Sequence, residues 1–155
     1  MPERPSDEEI RKWRRWFAVE CNNAAWTLAE RADRVEAEDA EMLSLAHASL
    51  HHWRHVGTEE NAALGEMLVG QAHALLGHGA PAMRYAVRAF AWVTANGRPA
   101  WEVAFAHAVL ANAARAAGES ALYAERHRSA AELGAGLGPE DKAIFDGTFR
   151  LIPPP

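Results

Sequence analysis

Residues 58–97 read TEENAALGEMLVGQAHALLGHGAPAMRYAVRAFAWVTANG. Thr58 is a residue type that caps a helix start, and the run that follows is rich in Ala, Leu and Met, strong helix formers. Gly77 and Gly79 break that run, Pro81 marks the next start, and Gly97 marks a second stop. The stretch therefore predicts two antiparallel helices joined by a tight turn. The first is apolar around most of its circumference, which requires burial on several sides. One narrow stripe breaks the pattern: Glu66, Gly70 and His73, at i, i+4 and i+7. A carboxylate and an imidazole on a buried helix need partners.

The same grammar extends in both directions. Ser6 with Glu9 three residues on forms a capping box that opens a first helix. Ile10, Trp13, Phe17, Cys21, Ala24 and Leu28 recur at helical spacing, and this stripe is expected to face inward. A charged connection near 31–38 leads to a second helix ending at Gly57, with Met42, Leu45, Ala46, Ser49, Leu50, Trp53 and Val56 inward. After Gly97, Pro99 opens a fifth helix, Ser120 a sixth and Pro139 a seventh, before a LIPPP tail. Gly77 and Gly118 are 41 residues apart (118 − 77), and Gly57 and Gly97 are 40 apart (97 − 57). A period of this size points to stacked helical hairpins rather than a four-helix bundle.

At 155 residues, 49% hydrophobic and 24% charged, the chain has the composition of one ordinary globular domain. It reads as a single domain over 1–155: a divergent first hairpin (7–57), a central hairpin (58–97), a third (98–137) and a capping helix with a proline tail (139–152). No run approaches the roughly 20 apolar residues of a membrane span, and MPERPSDEE has no apolar leader core. A single cysteine, Cys21, excludes an internal disulfide framework and thiolate-rich zinc sites. The expected location is the cytoplasm. Arg11, Lys12, Arg14 and Arg15 interleave with Trp13 and Trp16. Read as function, that cluster is an aromatic–basic patch for nucleic acid or a membrane. Acidic residues at 7–9 and Glu20 surround it and the net charge is −5, so neither partner is expected. The structural alternative places the basic residues on the outer face, with Trp13 and Phe17 turned inward.

Gly70, Gly77, Ala82, Ala89 and Phe90 stand at the spacing of the tetratricopeptide repeat, which the central hairpin resembles. The third hairpin keeps Leu110, Ala111, Gly118 and Ala130 of that pattern, and the first hardly matches. RWFAVECNNAAWTLAE (15–30), HASLHHW (47–53), HALLGHG (73–79) and FAHAVLANAARAAG (105–118), about half the length, are similar to short, uncharacterised bacterial proteins with tetratricopeptide-like folds. The resemblance implies an all-α, right-handed stack of antiparallel hairpins with about seven helices, and it transfers no catalytic residues.

Eight histidines raise the question of chemistry. His47 and His51 have i, i+4 spacing but lack the HExxH pattern of a hydrolytic zinc site. Glu66 and His107 occupy equivalent repeat positions (107 − 66 is 41), so Glu66, His73 and His107 are expected on one surface, with His47 reaching it from the preceding helix. That set would suit zinc, iron, nickel or copper, or a general base with its orienting partner. The plainer alternative makes the histidines seam residues and pairs Glu66 with His73 or with an Arg such as Arg88. Glu20 and Asn23 join His47, Glu66, His73 and His107 as candidate ligand-binding residues, and Trp16 or Trp26, off the main stripe, could floor a pocket. The functional expectation is a groove for a peptide, partner protein or small ligand. The alternatives are a small His/Glu-based, metal-assisted enzyme and a homodimer built on the apolar flank of a terminal helix.

Overall fold

In the computed structural model, residues 3–155 are described, so the first two residues of the N-terminal segment lie outside the described residues. Seven helices and no strand occur among the described residues: α1 (Asp7–Ala29), α2 (Glu36–Val56), α3 (Glu59–Leu75), α4 (Gly79–Ala95), α5 (Ala100–Ala117), α6 (Ser120–Ala135) and α7 (Pro139–Phe149). The fold is all-α. No helix among the described residues is long and apolar enough to cross a membrane.

The ends of the helices follow from local chemistry. The Ser6 hydroxyl accepts from the Glu9 N–H (3.2 Å) while the Glu9 carboxylate accepts from the Ser6 N–H (2.8 Å). Thr58 and Asn61 make the same reciprocal pair at the start of α3. At the end of α3, Gly77 adopts φ 75°, its N–H bonds to Ala74 O and the His78 N–H to His73 O. At the end of α5, Gly118 repeats this with φ 75° and bonds to Arg115 O, and the Glu119 N–H bonds to Ala114 O. Both are Schellman terminations, in which the left-handed residue is glycine because L side chains rarely adopt that backbone conformation.

α1 packs on α2, α3 on α4 and α5 on α6, and each pair leans on the next through α2–α3, α4–α5 and α3–α5. α7 closes the far end against α5 and α6. Three apolar clusters result: one between α1, α2 and α3 around Met42, Leu50 and Leu68, one between α3, α4 and α5 around Met67, Val93 and Val109, and one under α7 around Phe145. Each fully buried Leu, Val or Met contributes about 1.5–3 kcal/mol relative to exposure.

Close approach is bought with small residues. An added Cβ at Gly70 would lie 3.0 Å from the Ala86 backbone nitrogen, and one at Gly79 would lie 2.6 Å from Ala117 Cα. Within α4 the buried positions are Ala82, Ala86, Ala89 and Val93, whereas Val87 is exposed.

α1 corrects the sequence expectation. Its buried residues are Ala18, Ala25 and Ala29, while Trp13 (55% exposed) and Phe17 (42%) stand outside. The alanine face lets α1 sit tightly on α2 and α3, and the aromatic stripe is rotated off that seam. Two of the basic residues turn to α2 instead: Arg14 meets His51 (3.4 Å), and Arg15 donates to Val56 O (3.1 Å).

The two glycines at 79 and 138 separate packing from backbone freedom. Gly79→Ala should cost on the order of 2 kcal/mol in urea unfolding, since the obstacle is backbone that cannot move aside. Gly138→Ala, with nothing within 4 Å of an added Cβ, should stay within about 0.5 kcal/mol of wild type.

Candidate functional site

The polar stripe of α3 faces the seam between α2 and α4. Glu66 receives Arg54 Nη2 of α2 (3.0 Å) and Arg88 Nε of α4 (3.2 Å), so the arginine alternative holds for this carboxylate. One turn on, Gly70 touches Ala86. Next, His73 meets His47 of α2, Nε2 to Nε2 at 3.0 Å, and His78 at the start of α4, Nδ1 to Nδ1 at 3.1 Å. Tyr85 of α4 stacks parallel to His73 at 6.2 Å and stands edge-on to His47 at 5.8 Å.

Three imidazoles thus form a chain from exposed His78 through His73, only 9% exposed, to half-buried His47. A neutral imidazole carries one N–H and one lone pair. His73 therefore donates to one neighbour and accepts from the other, which fixes a direction for the whole chain. Burial, then His47, His78 and Arg84, push the His73 pKa down to about 4. Burial also lowers His47, with Arg54 adding to it.

The other candidates lie elsewhere. His107 of α5 stands edge-on to Phe90 at 4.8 Å. Its pKa is lowered by burial and by Arg126, and its Nδ1 is buried without a partner. Glu20 and Asn23 are exposed on the outer face of α1. The set His47, Glu66, His73 and His107 is therefore split: two imidazoles meet, Glu66 is held by arginines, and His107 packs on an aromatic ring. Among the described residues, no group of three or more His, Cys, Asp or Glu is placed to hold a metal ion. The equivalence of repeat positions did not make Glu66 and His107 neighbours. Positions 71 and 112, also 41 apart, do touch, through a buried bond from Asn112 Nδ2 to Gln71 Oε1 (3.1 Å).

His78 and Tyr85 went unread in the sequence. A Schellman termination brings the residue three before the cap and the residue just beyond the glycine into contact. For Gly77 these are His73 and His78, so HALLGHG contains the pair. Tyr85 carries no such local mark.

A second site lies on another face of α3. A cleft of about 330 Å³ is lined by Asn22, Trp26 and Glu30 of α1, Leu64 and Met67 of α3, Trp101, Glu102 and Phe105 of α5, and Ile144 of α7. Trp26 and Trp101 both stand edge-on to Phe105, at 5.2 and 6.4 Å. Trp26 thus takes the pocket role expected of it or Trp16. The two carboxylates differ. Glu102 is buried and gripped by Arg98 at 2.7 and 3.0 Å. Glu30 has no cation within ion-pair distance among the described residues, and its Oε1 would lie 3.2 Å from a Cβ at Gly147.

No protein-family model, curated protein or solved structure matches the chain.

The imidazole chain makes stability pH-dependent. His73 is near 4 in the folded protein and about 6.5 unfolded, so between these values the unfolded chain binds more protons. Stability is full above about pH 7 and falls as pH drops from about 6.5 to 4, by on the order of 3 kcal/mol from this residue. Denaturant unfolding across that range should show a shallower slope for His73→Gln than for wild type.

Proposed function

We propose that this chain is a tetratricopeptide-like binding module of the cytoplasm, which holds one apolar group with a cationic end in the cleft between α1, α3, α5 and α7. The observation that carries this reading is the cleft's composition: three aromatic walls, a Leu–Met floor and one carboxylate, Glu30, whose side chain makes no ion pair among the described residues, Arg150 bonding instead to the Glu30 backbone carbonyl (2.6 Å). Ligand sites are mostly apolar concavities with a few polar groups that fix orientation. Aromatic faces attract cations, and a carboxylate left without a partner supplies the matching charge. A lysine side chain of a peptide and a small alkylamine share this chemistry. The hairpin pairing, the close contacts at Gly70 and Gly79 and the paired Schellman ends support the tetratricopeptide-like reading. The first helices of successive pairs line the cleft, as the inner surface of such a stack would.

A second reading, a small histidine-based enzyme, draws support from the imidazole chain, a path along which a proton could pass between solvent and His47. In a metal-assisted form, the His47 and His73 Nε2 atoms would supply two ligands.

Titration with hexylammonium, followed by tryptophan fluorescence, tests the binding reading. The expected result is saturable binding, weakened about tenfold by Glu30→Gln through loss of a charge-assisted contact. Phe105→Ala should abolish it, and His73→Gln should leave it unchanged. Hexanol binding as tightly as hexylammonium would sink the cationic specificity, and a loss on His73→Gln would move the function to the histidines.

A further inference from the structure

Among the described residues, the outer face of α1 carries a cluster of exposed aromatics that the other helices leave largely uncovered, with Phe17 alone stacking on His52 of α2 at 5.8 Å. Trp13 and Trp16 stand edge-on at 6.4 Å, and Trp16 and Phe17 at 5.0 Å. These residues are 55%, 51% and 42% exposed, and Val19 beside them is 39% exposed. Together they present on the order of 400 Å² of apolar surface, the size of the largest patch on a typical monomer, which often serves recognition.

We infer that this face is the interface of a two-fold dimer in which α1 packs antiparallel to α1 of a second copy. The charge pattern selects that occupant. Lys12 precedes Trp16 by four residues and Glu20 follows it by four. On a helix of 100° per residue, they flank Trp16 at equal angles on either side, each about 6 Å along the axis. A two-fold axis beside Trp16 therefore sets Lys12 of one copy level with Glu20 of the other, twice by symmetry. Trp13 and Val19 are placed with the same symmetry, so each aromatic flank comes level with the smaller apolar flank of the partner copy.

An anionic membrane or a nucleic acid fits less well. Glu9 and Glu20 border the aromatics and would be repelled, while Arg14 and Arg15 are turned toward His51 and Val56 O of α2. Two such patches give about 800 Å² of apolar surface, below the roughly 1,200 Å² of stable dimer interfaces, so the dimer is a weak one that draws on the paired Lys12–Glu20 charges.

Sedimentation velocity of the full chain from about 1 to about 100 μM tests the inference, with affinities compared as dissociation constants. Wild type should show a concentration-dependent dimer. Trp16→Glu should be monomeric throughout, with unchanged helix content by circular dichroism. Lys12→Glu should weaken association on the order of tenfold, because it opposes like charges twice. The swap Lys12→Glu with Glu20→Lys should restore it to within about threefold. A wild type that stays monomeric, a dimer indifferent to Trp16→Glu, or a swap no better than Lys12→Glu alone would each overturn the proposal. Flotation of monomeric protein with phosphatidylglycerol vesicles would assign the face to a membrane instead.

Discussion

Everything in this fold depends on how closely other helices can approach α3. It packs against α1, α2, α4 and α5, and a helix with four neighbours has room for bulk on few sides. Gly65 lies against Leu50, Gly70 against Ala86, and Ala63, Ala72 and Ala74 fill the remaining tight places. Larger side chains at Met67, Leu68 and Val69 reach into the clusters on either side. Alternation of small seams with large plugs lets a short chain fill the apolar clusters on both sides of α3.

The same constraint explains both sites. Because α3 is enclosed, its polar residues have nowhere to go but a seam, and the α2–α4 seam collects Glu66 and His73. Two arginines neutralise the carboxylate, while the imidazoles satisfy one another. An imidazole suits this position because it can stay neutral and still donate and accept. On another face of α3, Trp26, Trp101 and Phe105 prop α1 and α5 apart above Leu64 and Met67, and the space left between them is the cleft.

α1 shows where periodicity misleads. Its aromatic stripe and its alanine stripe both recur at helical spacing, and hydrophobicity favours the aromatic one as the buried face. Packing chose alanine, since the approach of α2 and α3 leaves no room for indoles at 18, 25 and 29. The aromatics are displaced to the surface. In α4, likewise, Ala82, Ala86 and Ala89 are buried while Val87 is exposed.

The helices themselves were legible from the sequence. Capping boxes, glycine terminations and proline starts are encoded within a few residues, so Ser6, Thr58, Gly77, Gly118 and Pro139 mark boundaries without reference to the rest of the chain. The His73–His78 contact belongs with these, as it is made by one local turn. What joins His47 to that pair, gives Glu66 to Arg54 and Arg88, places His107 against Phe90 and leaves Glu30 facing an aromatic cleft was decided only by tertiary structure. Those contacts depend on which face each helix turns toward its neighbours. A rotation of about 100°, one residue's worth, is nearly invisible in the hydrophobic pattern, yet it changes every partner.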